Sequence, residues 1–167
     1  MAEHKTLILV RHAKSSWKDK NLNDIKRPLN KRGKRDAPKM GKYLAERKIL
    51  PEAIFSSPGL RALTTARLIS VEIGMKPSEI KVGDNIYTFN SKDLLKAIKS
   101  LKDKFDKVMV VGHNPAITDA INYLSGSQID NVPTCGVAVL KFQVDSWKKI
   151  YKNKASLESF DYPKKLW

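Results

Sequence analysis

The chain has 167 residues, 41% of them hydrophobic and 29% charged, which suits one domain with a sizeable core and excludes a disordered chain. Its 32 Lys and Arg outnumber 17 Asp and Glu, for a net charge of +15, so an anionic partner is expected. No apolar run, Leu7 to Val10 and Val108 to Val111 included, exceeds four residues; none reads as a membrane span or signal-peptide core, and a cytoplasmic location is expected.

In chain order, Leu7 to Val10 reads as a short buried strand, followed at once by Arg11 and His12. After a polar loop over residues 13 to 28, Asn30 can cap a helix from about Lys31 to Lys48. Ala37, Met40, Leu44 and Ala45 would form its inner face, while Pro38 argues for a kink or a later start. Ala53 to Phe55 reads as a second strand. Ser57 would then cap a helix with Pro58 at its first position, Ala62, Ala66, Ile69 and Ile73 on one face, and Gly74 closing it.

Residues 80 to 89 are expected to be extended, and Asp93 to Leu101 to form a short amphipathic helix. Val108 to Val111 is the plainest strand and runs into Gly112-His113-Asn114-Pro115, where Asn114 can cap a helix over 115 to 124. Val137 to Val144 and Lys149 to Tyr151 read as closing strands, with Asp161 to Trp167 a tail. No repeat or linker divides the chain, so residues 1 to 167 are expected to form one domain. The alternation gives a three-layer α/β/α fold with a mostly parallel sheet.

Cys135 is the only cysteine, which excludes an intrachain disulfide. No cationic residue lies close to it in sequence, so it reads as a small buried residue rather than a nucleophile. Residues 26 to 48 carry ten basic residues against Asp36 and Glu46. That segment is either a solvated basic face or a field for anionic substrates such as phosphates or acidic proteins. Nucleic acid is not favoured, since no stretch interleaves aromatic and basic residues and no zinc-finger or RNP-type sequence occurs.

Three strands deliver phosphate-binding residue types from their C-terminal ends, where ligands sit in parallel α/β folds. The first supplies Arg11 and His12, the second leads to Arg61 in the first turn of its helix, and the fourth supplies His113 at a helix start. Singly, each has an ordinary explanation as a surface or turn residue; together they converge on one edge of one sheet.

These residues lie in three blocks. LVRHAKS resembles the Arg-His-Gly signature of the histidine phosphatase superfamily, which includes phosphoglycerate mutases. SSPGLRALTTA is similar to its Ser-x-x-x-Arg-Ala-x-x-Thr-Ala block, and VVGHNPAI to its third block, a hydrophobic strand ending in Gly-His. The blocks span residues 7 to 117 in family order. Small size, Arg27-Pro28-Leu29 before Arg32-Gly33, and the Gly-His-Asn-Pro block resemble the small phosphohistidine phosphatase branch, the SixA type. Ala13 stands where the signature has glycine, which costs little unless the backbone there needs a positive φ.

The resemblance implies a phosphatase acting through a phosphohistidine on a phosphorylated protein or small phosphorylated molecule. His12 would be the nucleophile, Arg11 and Arg61 would bind the transferring oxygens, and His113 would donate to the same group. Ser15 and Arg27 are further substrate-binding candidates. No metal or other cofactor is expected: His4, His12 and His113 lack ligand spacing, and there is no Walker-type loop.

Many relatives carry a glutamate near the end of the third strand as general acid. The corresponding stretch, Asn85 to Asn90, has no carboxylate, leaving Asp19, Asp24 and Asp84 as candidates. An imidazole leaving group, with a conjugate-acid pKa near 6.5, departs with less help than an alkoxide. A missing acid therefore favours phosphoramidates over alkyl esters. The competing reading is a non-catalytic basic module that holds phosphates of nucleic acid or a protein partner on the same fold.

Overall fold

The structure, a computed structural model, describes residues 3–167. Its sheet has the order β3-β2-β4-β1-β5-β6, with β1 (Lys5–Arg11), β2 (Ala53–Ser56), β3 (Lys81–Val82), β4 (Lys107–Gly112), β5 (Val137–Phe142) and β6 (Ala155–Asp161). The first four run parallel, β5 runs antiparallel to β1, and β6, antiparallel to β5, points the same way as the first four. Helices α1 (Lys31–Glu46) and α2 (Leu60–Glu72) contribute to the core on one face, and α3 (Ser91–Lys99) and α4 (Ala116–Ser125) to that on the other.

The period-2 alternation of β1 sorts these layers. Ile8 and Val10 pack with Met40, Leu44, Ala66 and Ile69 from α1 and α2. Leu7 and Leu9 pack with Leu94, Ile98, Ile117 and Ile121 from α3 and α4. Pairing then levels the strand ends: Arg11 lies opposite Gly112, and Ser56 opposite Val111. The chain consequently leaves the sheet at His12, Ser57 and His113 side by side.

The Asn30 cap forms as expected, its side chain accepting from the Gly33 N–H. The helix runs through Pro38 without interruption, so neither a later start nor a break occurs there. Gly33 is tightly enclosed, because a Cβ on it would lie 2.2 Å from the Lys14 carbonyl oxygen. This close approach fixes the start of α1 against the loop that follows His12.

Several expected boundaries move. Ser57 does not cap α2; Gly59 takes that position, because the Ser57 hydroxyl is engaged with the Gly59 N–H and His113. Residues 80 to 89 are extended only at β3, after which Asp84–Ile86 forms a 3-10 turn. Helix α3 begins at Ser91 rather than Asp93, capped by Asn90. Pro115 takes the N-cap position of α4, while the Asn114 side chain accepts from the N–H and hydroxyl of Thr118.

The expected strand at Lys149 to Tyr151 is absent. Trp147–Lys149 is a 3-10 turn whose N-cap Ser146 accepts from Lys148, and Asp103 fixes the Trp147 N–H. The last strand is β6, and the expected tail turns into the short α5 (Pro163–Leu166). Among the described residues no helix is long and apolar enough to cross a membrane.

Candidate active site

Arg11 ends β1, and its Nη1 donates to the Val132 carbonyl at 2.8 Å. His12 follows in the loop and is 6% exposed. Its Nδ1 lies 2.7 Å from the Ala13 carbonyl, which can only accept, so that nitrogen carries the proton. Arg61 Nε donates to His12 Nε2 at 3.3 Å, so Nε2 carries a lone pair. One imidazole is thus held in one tautomer by two neighbours.

The loop behind His12 is fixed by backbone bonds and one side chain. Cys135 adopts φ 62°, in the left-handed region, and its N–H donates to the carbonyls of both Arg11 and His12. Its thiol is buried and its pKa is pushed up by that burial, with Asp36 adding to the effect, consistent with a packing residue. Thr65 accepts from the Ala13 N–H at 2.9 Å and donates to the Arg61 carbonyl at 2.7 Å, tying the first block to the second. Ala13 does not adopt a positive φ, so a methyl group is tolerated where the signature has glycine.

Arg61 projects from the first turn of α2 and is 2% exposed. Its Nη1 donates to the Asp24 carbonyl at 2.7 Å and its Nη2 to Asp24 Oδ2 at 2.9 Å. Tyr87 also donates to Oδ2, at 2.6 Å, and Arg27 Nη2 to Oδ1, at 3.3 Å. Partial burial raises the Asp24 pKa, but the bonds from Tyr87, Arg61 and Arg27 outweigh it and hold the carboxyl at about 2. Of the three acid candidates, only Asp24 bonds to this cluster. Asp19 accepts from Asn21 in an exposed loop, and Asp84 is exposed in its turn.

His113, 1% exposed, exchanges a 2.7 Å hydrogen bond through Nε2 with the Ser57 hydroxyl. Ser57 already accepts from Gly59, leaving its own proton available to His113 Nε2. In that tautomer Nδ1 carries a proton. The His12 and His113 rings lie 5.3 Å apart. Arg27, also buried, donates through Nη1 to the Ser15 hydroxyl.

All six residues picked out by sequence therefore occupy one neighbourhood. Ser57, Thr65 and Tyr87 were missed as contributors, and Asp24 was seen only as an acid. Ser57 and Thr65 lie within the second sequence block; Tyr87 has no comparable signal. Among the described residues the buried side-chain nitrogens without a partner are Arg11 Nε, Arg27 Nε and His113 Nδ1, all belonging to this group. Each unmet buried donor costs about 1–3 kcal/mol, and all three lie on residues of this one cluster.

Burial holds both histidines neutral: the His12 pKa falls to about 3, with His113, Arg61 and Arg11 adding to the effect against a raising bond to Ala13. That of His113 falls to about 4, chiefly by burial and then Arg61. Unfolding restores a value near 6.5, so below that pH the unfolded chain takes up protons that the folded one does not. Stability is complete above pH 6.5 and declines toward pH 4, with roughly 2 kcal/mol lost per histidine at pH 5. Urea denaturation at pH 7.5 and 5 checks this: His113→Asn should remove about half of the decline. A wild-type stability that is level between the two pH values would mean that the folded histidines are charged.

Residues 7–84 match the model of the histidine phosphatase superfamily, branch 1. An uncharacterized chloroplastic protein of Arabidopsis thaliana is 31% identical over 153 residues, covering 87% of this chain and 70% of that protein. The 2,3-bisphosphoglycerate-dependent phosphoglycerate mutase of Clavibacter michiganensis subsp. michiganensis is 39% identical over 70 residues, 41% of this chain but 28% of the mutase. The chain belongs to the histidine phosphatase superfamily. Along nearly its whole length it is similar to an Agrobacterium tumefaciens structure assigned as the phosphohistidine phosphatase SixA: TM-score 0.80, 26% identity, covering 95% of this chain and 98% of the other.

Proposed function

We propose that this chain is a metal-independent phosphatase that works through a phosphohistidine at His12. Its substrate is phosphohistidine in a phosphoprotein or a small phosphate compound. The observation that carries the proposal is the unprotonated Nε2 of His12 beside the buried guanidinium of Arg61, with Arg11 and His113 adjoining. A neutral imidazole is nucleophilic, and the surrounding cations stabilise charge on the transferring oxygens.

Nε2 attacks phosphorus, the new N–P bond forms, and the bond to the leaving group breaks with its electron pair. Water then attacks the phosphohistidine, releases inorganic phosphate and restores His12. Arg11 and Arg61 hold the oxygens, His113 donates through Nδ1, and Arg27 with Ser15 borders the same group. Asp24, ionised down to a pH of about 2, has no proton to give a leaving group at neutral pH. Leaving groups that depart without one, imidazoles and phenols, are thereby favoured over alkoxides.

The test is hydrolysis of p-nitrophenyl phosphate in EDTA, followed by rapid quench with labelled substrate. Turnover in chelator and an acid-labile, base-stable protein label are expected. An inactive protein that binds RNA with strong salt dependence would instead favour the binding-module reading.

A further inference from the structure

A second concave surface lies at the β3 edge of the sheet, where it borders the C-terminal end of α3. Its cavity measures about 310 Å³, within the range of small-molecule sites, and none of its lining residues belongs to the catalytic cluster. Phe55 from β2, Ile86 from the turn after β3, Ala97 from α3, and Leu101 and Phe105 from the segment before β4 form its apolar floor. Ile86 and Ala97 are buried, and the Phe55 and Phe105 rings meet edge to face at 6.3 Å. The floor is therefore an open margin of the hydrophobic core.

Three lysines surround that floor. Lys81, Lys102 and Lys104 line the cavity and are exposed, and the Lys104 ammonium lies 5.1 Å from the Phe105 ring centre. Among the described residues no carboxylate pairs with any of the three. The neighbouring acids are turned to other partners: Asp103 accepts from Ser146 and Trp147, and Asp106 from Lys5. No Asp or Glu lines the cavity.

An apolar floor inside a rim of one sign fits an amphiphilic anion, its body on the aromatic rings and its charge among the ammonium groups. A bare oxyanion would leave the floor uncovered, and a neutral hydrocarbon would leave the lysines unpaired. A peptide strand is a poorer occupant, because β3 offers two residues for pairing and Lys81 is one of them. Short edges that carry lysine discourage strand addition.

We propose that this cavity binds a small carboxylate with an apolar body, such as a medium-chain fatty acid or an aryl carboxylate. The site stands apart from the phosphatase centre, so its test reads binding and not turnover.

NMR titration of the isotope-labelled protein with octanoate, naphthoate, octanol and sulfate provides that test. Amide shifts confined to residues 81–86 and 97–105 should saturate with a carboxylate. The tighter of octanoate and naphthoate identifies the body as aliphatic or aromatic. Shortening octanoate to hexanoate should weaken Kd by roughly tenfold, as expected for two methylenes withdrawn from an apolar floor. Octanol and sulfate should each bind at least about tenfold more weakly than octanoate.

Two variants change only exposed rim residues, and circular dichroism should show both folded. Lys102→Glu with Lys104→Glu should weaken octanoate about tenfold and leave octanol unchanged, while Ser100→Trp should obstruct both. Octanol or sulfate binding as tightly as octanoate overturns the proposal. So does octanoate binding that survives both variants, an absence of saturable shifts, or shifts centred on His12 and Arg61 instead.

Discussion

Replacing His12 with alanine should lower kcat by about ten-thousandfold or more while leaving the fold in place. In the proposed mechanism turnover depends on one lone pair, at Nε2, for which no neighbouring side chain is placed to substitute. His113 is the other imidazole within reach, but its Nε2 is occupied by Ser57 and its Nδ1 is assigned as a donor. The backbone at position 12 keeps its bond to the Gly112 carbonyl whatever the side chain, and the Cys135 N–H still donates to the loop. Circular dichroism of the variant should match the wild type, and quenched-label experiments should show no phosphoprotein. Retention of more than a few per cent of wild-type kcat would refute the assignment of the nucleophile.

The second large effect is expected at the arginines. Arg61→Lys should reduce kcat about a hundredfold or more, and Arg11→Lys should act in the same direction. Arg61 performs three tasks with one rigid planar group: Nε orients the lone pair of His12, while Nη1 and Nη2 form a fork facing Asp24. A lysine ammonium is a single charged point on a flexible stem and cannot make both contacts. Comparing kcat with the inhibition constant of vanadate, a phosphoryl-transfer mimic, separates loss of transition-state contact from loss of folding. Wild-type kinetics in both lysine variants would reduce these arginines to structural cations.

The strands that carry the site were legible because their apolar runs are short, β-branched and followed at once by polar residues. Val108 to Val111 and Leu7 to Val10 both lie within strands of the central sheet. Arg11, His12 and His113 were therefore placed from chain order alone. The partners of those residues were not legible, since they arise from contacts between distant segments. Ser57 meets His113 56 residues later, and Tyr87 meets Asp24 63 residues earlier. A serine before a proline also satisfies the pattern of a helix cap, which is why its hydroxyl was assigned to α2.

The end of the chain misled for a different reason. Ala155–Asp161 is an edge strand, paired only with β5, and its Ser and Glu residues dilute the apolar signal. Lys149 to Tyr151 was read as a strand instead, yet it follows Trp147, whose buried indole donates to the Phe105 carbonyl. Burial of one large side chain there needs no extended backbone.

Asp24 gives the resting site a built-in counter-anion. Under the proposed function, phosphate arriving at Arg61 would trade places with a carboxylate already seated on the same guanidinium, so its binding would reflect the difference between two ion pairs. That trade would lower ground-state affinity, and a leaving phosphate would have a ready replacement in Asp24. With the carboxyl ionised down to a pH of about 2, that counter-anion is in place at neutral pH.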